Sequence, residues 1–404
     1  MIALLLCLFA LTPAAALPQG KRDQPRNAPQ NCPWCHGDKA VMEKAGLFSH
    51  GGFEFGATDT ARVDRLLGGK DIYWIESRHF ELGMVLSPYR VGNDEAKKVR
   101  AELTELAELL PEVDPKTRIL DPWLRLHLYA LRSEKVWLRF LEVAQVKESD
   151  FPDGKSVWII GTPYMGEGPY VGQKGKYEMI VLPTPSDQVT FLHEHFGLSV
   201  KRTQRWNRLE TDSLIVVTNL QENELTDDVR LHNHVVFNLT HNLLDGFRHY
   251  SYDSLRWQNE GLAHSMEREL NPRFNTYDSS EGADHIRVNR EDWDAECKKL
   301  VAGGEAPRLA ELTTLRTFAE FDLADHYACW SMTKFMITTQ PQGYACLLRA
   351  LHGRKGADGM PDSENLQDAQ RQAFQECLGM SYSQFDAAWQ AWVLTQGGKA
   401  KEGG

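Results

Sequence analysis

The stretch "FNLTHNLLDGFRHYSYDSLRWQNEGLAHSMEREL", residues 237–270, reads as two helices joined by a short connector. The first carries Thr240 and His241, and the second opens on Asn259, Glu260, Gly261, Leu262 and Ala263. Upstream, "LTDDVRLHNHVVFNLTHNLL" belongs to the first helix, where His234, Asn238, His241 and Asp245 recur at spacings of four, three and four. Such spacing lines one face of a helix, so these four form a polar stripe. His264 follows Glu260 by one turn. His241, Glu260 and His264, with Asp245 or His234 as a fourth, are therefore candidate metal ligands, three protein donors being the catalytic minimum for zinc.

The pair of helices resembles the active site of H-E-x-x-H zinc peptidases of the gluzincin branch, as found in peptidase MA-like domains. There two histidines one turn apart share a metal, the intervening Glu activates water, and a Glu on the next helix completes the ligand set. By this resemblance His241 matches the second His and Glu260 the third ligand, within an Asn-Glu-Gly-Leu-Ala second motif. Phe237 occupies the first-His position and Asn238 the general-base position. Phe cannot ligate a metal and Asn cannot take a proton from water, a loss worth on the order of 10²–10⁴ in rate. The resemblance extends over residues 151–396, through "DHYACWSMTKFMITTQPQGYACLLRAL" and "FQECLGMSYSQFDAAWQAWV".

Working outward, the 404 residues contain 42% apolar and 25% charged side chains, the balance of a globular protein. A net charge of -11 disfavours nucleic acid as a partner, which would want clustered Lys and Arg. Residues 1–16 read as a secretory signal, too short for a membrane span, followed by a flexible leader over 17–31. These features predict a secreted or periplasmic protein with no membrane span.

Strands are predicted in "DIYWIESRHFELGMVL", "SVWIIG", "KYEMIVLP" and "SLIVVTN", with the helix "SDQVTFLHEHFG" before the last. Two earlier helices are clear: "DEAKKVRAELTELAELLPEV", and "DPWLRLHLYALRSEKVWLRFLEVAQV" with Asp121 as cap and Pro122 in the first turn. The chain is helical after residue 225, with a disordered tail at 397–404. Strands before helices predict an α+β fold. The resemblance makes it gluzincin-like: a twisted sheet, an active-site helix and a helical C-terminal subdomain. A mostly helical N-terminal region over 32–150 is expected ahead of the peptidase-like span 151–396.

Cys32, Cys35 and His36 form a C-x-x-C-H element, the attachment motif of c-type haem. A Cys32–Cys35 disulfide or half of a zinc knuckle is the plainer reading. Removal of Cys7 with the signal leaves six cysteines, predicting disulfides, with Cys297, Cys329, Cys346 and Cys377 bridging C-terminal helices. The "HEHF" at His193–Phe196 has Gly197 where a second His is needed, and the "NLT" at Asn238–Thr240 lies mid-helix. In "SHGG", His50 alone could act as a ligand, and the glycines after it predict a tight turn. His326 and Tyr327 could face the cleft as donors.

These readings predict a metal-free, catalytically inactive peptidase-like protein that binds a peptide or protein partner. One alternative is a zinc metallohydrolase using His241, Glu260 and His264. The other is a haem carrier using Cys32, Cys35 and His36.

Overall fold

The computed structural model describes residues 26–150, 175–208, 211, 213–247, 255–277, 292–352, 354 and 364–396. The predicted signal, the strand "SVWIIG" and the tail lie outside the described residues.

The chain opens with α1 (Lys39–Lys44), β1 (Leu47–Ser49), a ribbon of β2 (Glu54–Phe55) and β3 (Thr58–Asp59), and α2 (Thr60–Leu66). The aromatic run 71–86 forms two antiparallel strands, β4 (Tyr73–Ser77) and β5 (Phe80–Met84). A second ribbon, β6 (Tyr89–Arg90) and β7 (Ile119–Leu120), brackets α3 (Ala96–Leu109) and precedes α4 (Pro122–Ala144). The Asp121 carboxylate accepts from the N–H groups of Trp123 and Leu124, satisfying two donors that the first turn of α4 cannot pair itself.

After residue 175 come β8 (Tyr177–Leu182), α5 (Pro185–Phe196), β9 (Gln204–Arg208) and β10 (Ser213–Asn219). Helices follow: α6 (Asp228–Gly246), α7 (Arg256–Leu270), α8 (Trp293–Gly303), α9 (Leu309–Leu312), α10 (Leu323–Thr339), α11 (Pro341–Leu351), α12 (Leu366–Leu378) and α13 (Tyr382–Thr395). No described helix is long and apolar enough to cross a membrane.

The main sheet has the order β1-β4-β5-β8-β10-β9, with β8 parallel to both β5 and β10 and the other pairs antiparallel. Parallel neighbours need a crossover, which α5 helps to supply between β8 and β10. The pairing of β5 with β8 carries the sheet across the expected boundary at 150/151. The N-terminal region gives half of the six strands. Its apolar strands are buried beneath α4 and against the later strands that extend their sheet.

Both faces of the sheet are covered, which is why β8 and β10 read as unbroken apolar runs. Met179, Val181, Leu214 and Val216 join the large core beneath α4 and α6. Ile180, Leu182, Ile215 and Val217 face the other way, against Phe191 and Leu192 of α5. This is the two-residue period of a pleated strand.

Two contacts set how the helices lie. Asp228, at the start of α6, is held by Arg125 (2.8 Å) and Arg132 (2.9 Å) of α4. Arg132 also pairs with Glu102 of α3 at 2.8 Å, and the Tyr129 hydroxyl donates to Asp228 at 3.0 Å. All are buried. Burial pushes the Asp228 carboxyl up, but Arg132 and Arg125 outweigh it and hold the group below its usual value. Its stabilising contribution is therefore present at neutral pH and lost as pH falls through that lowered value. The second contact is a close approach of α7 to α10. A Cβ on Gly261 would lie 2.3 Å from Thr333 Oγ1 and 2.7 Å from the Cys329 carbonyl oxygen.

The disulfide joins Cys346 of α11 to Cys377 of α12, two C-terminal helices as expected. The other pairings are not formed: Cys32, Cys35, Cys297 and Cys329 are not in disulfides. Cys297 instead donates to the Tyr327 carbonyl at 3.2 Å.

Substituting Gly261→Ala should lower stability by about 1–3 kcal/mol, because α7 must move off α10. Asp228→Ala should cost about 3–5 kcal/mol, because it leaves the buried Arg125 without a carboxylate and Arg132 with Glu102 alone. Urea unfolding read by circular dichroism checks both.

Candidate metal centre

α6 is buried along almost its whole length, so each polar side chain on it must find a partner inside the protein. The polar stripe divides among different neighbours. His234 Nε2 lies 3.0 Å from Thr203 Oγ1 and 3.2 Å from Thr218 Oγ1, at the edge of the sheet. Asn238 Oδ1 accepts from Arg205 Nη1 at 2.9 Å, and its Nδ2 donates to the His234 carbonyl. Asp245, further along, accepts from Asn259 Nδ2 at 3.4 Å. None of these three joins His241.

His241 meets α7. Its Nε2 lies 3.2 Å from Glu260 Oε1. The other carboxylate oxygen, Oε2, faces His264 Nε2 at 3.5 Å and His326 Nδ1 of α10 at 3.7 Å. His264 Nε2 and His326 Nδ1 are 3.0 Å apart. Glu260, His264 and His326 are wholly buried. The structure thus brings together the three candidates His241, Glu260 and His264, and adds His326.

The edges of the Glu260–His264–His326 triangle, 3.0, 3.5 and 3.7 Å, bracket the spacing a shared ion sets. Zinc bonds of about 2.0–2.2 Å in a tetrahedron separate donor atoms by about 3.3–3.6 Å. Burial holds His241 and His264 well below their ordinary values, and His326 down to about 3, with neighbouring charges adding to the first two. Neutral imidazole is the form that ligates a metal.

His264 and Glu260 also have supports of the kind that orient metal ligands. His264 Nδ1 lies 2.7 Å from Glu267 Oε1, and Glu267 in turn accepts the Thr276 N–H at 3.1 Å. Burial pushes the Glu267 carboxyl well up, against the pull of that N–H. His241 sits against the Glu260 oxygen that faces away from the other two histidines. Aromatic rings wall the centre: Phe237 is 4.7 Å from the His241 ring and 5.1 Å from His264, Trp293 is 4.9 Å from His264, and Tyr277 is 5.0 Å from His326.

Sequence reasoning set His326 among cleft donors but not among the ligands. It lies 62 residues beyond His264, and only the packing of α10 on α7 links them. The "HEHF" segment makes no such grouping: Glu194 pairs with Arg62 at the surface, and His195 is buried against Phe191. Asn238 is buried and hydrogen-bonded, leaving no room for a glycan.

The C-x-x-C-H element takes a different shape from a haem attachment. Cys32 Sγ lies 3.2 Å from His127 Nε2 of α4, and Cys35 Sγ lies 3.0 Å from His50 Nε2. The hydrogen bond with Cys32 holds the Cys35 thiol below its ordinary range against burial, with His127 and His50 adding to it. His36, which in such an attachment would be the axial ligand to the haem iron, turns outward to Glu112 at 3.2 Å. These four and the Glu260 group are the two clusters able to hold a metal among the described residues.

Compared with known protein families and with curated proteins, the chain matches none.

Phe237→Ala should destabilise the fold by about 3–5 kcal/mol, as for other wholly buried Phe truncations. The shift in denaturant midpoint measures it.

Proposed function

We propose that this chain is an exported, peptidase MA-like protein that holds a divalent metal, zinc above all, at Glu260, His264 and His326. It lacks the hydrolytic step of H-E-x-x-H enzymes and acts by binding. The observation that carries this reading is the wholly buried Glu260 carboxylate, 3.2–3.7 Å from three neutral imidazoles. Two His and one Glu are a zinc donor set.

The residues would share the work as follows. Glu260, His264 and His326 hold the ion, which when bound would supply Lewis-acid polarisation. His241 steadies the second Glu260 oxygen, and Glu267 fixes the His264 ring. Asn238 stands where a peptidase keeps its base, but both ends of its amide are occupied, by Arg205 and by the His234 carbonyl. No proton can be taken there.

One observation favours a second reading, a metallohydrolase with a non-standard ligand set. Three protein donors leave a fourth position, the pattern of catalytic rather than structural zinc. Elemental analysis of protein purified from its natural compartment, paired with a peptide-cleavage assay, separates the two. The proposal predicts one equivalent of metal lost in Glu260→Ala and in His326→Ala, affinity 10–100-fold weaker in Glu267→Gln, and cleavage at the buffer rate throughout. Wild-type protein without metal at this centre would sink the proposal, and cleavage abolished by Glu260→Ala would establish the second reading.

A further inference from the structure

The segment "CPWCHGD", residues 32–38, is too short and polar to make a core of its own, yet Cys32 and Cys35 are wholly buried. The backbone wraps round the first sulfur. The N–H groups of Trp34 and Cys35 are bonded to the Cys32 sulfur, the His36 N–H to the Cys32 carbonyl at 3.0 Å, and the Asp38 N–H to the Cys35 carbonyl. His36 and Gly37 both take positive φ, 54° and 64°, to turn the chain. At Gly37 a Cβ would lie 3.1 Å from the Pro29 carbonyl carbon, so only glycine fits without movement.

The two sulfurs are presented to imidazoles from two other parts of the fold. His127 comes from α4 and His50 from the turn after β1. The His50 Nδ1 sits 2.8 Å from the Trp74 carbonyl, which can only accept, so Nδ1 donates there and Nε2 is the nitrogen turned to the cysteine side. A carbonyl behind the histidine is a usual support for a metal ligand. Sγ of both cysteines and one nitrogen of each histidine all lie within 4.8 Å of one another, and all four residues are buried. Zinc bonds of about 2.3 Å to sulfur and 2.0–2.1 Å to nitrogen would place such donors about 3.3–3.8 Å apart.

We propose that Cys32, Cys35, His50 and His127 form a closed structural zinc site that staples the N-terminal knuckle to α4 and to the sheet. Two thiolates and two neutral imidazoles around Zn²⁺ sum to zero charge, which suits a buried position. On binding, the two thiols give up their protons to solvent and each sulfur donates a lone pair to the metal. No oxidation is involved. All four positions are protein ligands, so this site is structural where the Glu260 centre has a vacancy in its donor set. The proposal is independent of the function proposed above.

Zinc-edge X-ray absorption on the intact, unmodified protein tests it, with cobalt substitution as a second readout. The expected result is sulfur scattering at about 2.3 Å and a thiolate-to-cobalt charge-transfer band. Both should persist in Glu260→Ala and vanish in Cys35→Ser, with the loss of one zinc equivalent. Because Cys35→Ser could fail to fold, blocking the thiols of wild-type protein gives a parallel arm: it should release one equivalent of zinc. A Cys32–Cys35 disulfide in non-reduced peptides, or zinc bound through nitrogen and oxygen alone, would overturn the site.

Discussion

The buried carboxylate of Asp228, gripped by Arg125 and Arg132, sets the relation of α4 to α6. Taking such charges out of water is costly unless each is paired in good geometry. The helices are therefore held in one rotation and one register. α4 carries His127 two residues from Arg125, and α6 carries His241 on the face turned toward α7. Each helix of the clamp touches one buried donor group: α4 through His127 at the N-terminal knuckle, and α6 through His241 beside Glu260.

Beside that clamp, the buried face of α6 is filled in ways a protein interior tolerates. Phe237 packs its ring against His241 and His264. Asn238 accepts a hydrogen bond from Arg205. The metal-capable donors of the Glu260 group lie on α7 and α10. Gly261 makes this feasible, because without a side chain there α10 comes close enough for His326 to meet Glu260 and His264. The aromatic wall keeps the imidazoles neutral by excluding water, which is the same condition that makes them ligands.

Local physics made much of the fold legible. The apolar runs of β8 and β10, the Asp121 cap of α4 and the periodicity of α6 and α7 each rest on neighbours within a few residues, and each element lies where its pattern places it. Three features needed distant partners. The sheet crosses the expected boundary at 150/151 because β5 pairs with a strand nearly a hundred residues later. Cys32 and Cys35 form no disulfide, and each sulfur instead faces a histidine from a distant part of the chain. The polar stripe of α6 is real as a spacing, but its members serve the sheet, α7 and Arg205 separately.

By itself the sequence determined the residue types at the two helices, including Phe237 and Asn238 at positions that can neither ligate a metal nor act as a base, and the candidate trio His241, Glu260 and His264. Only the tertiary structure decided that His326 closes that group and that His50 and His127 face the cysteines. Spacing along a helix or strand reports which side chains share a face. Convergence of donors from separate elements depends on how those elements pack, and that is set by buried charges, close glycine contacts and sheet order acting across the whole chain.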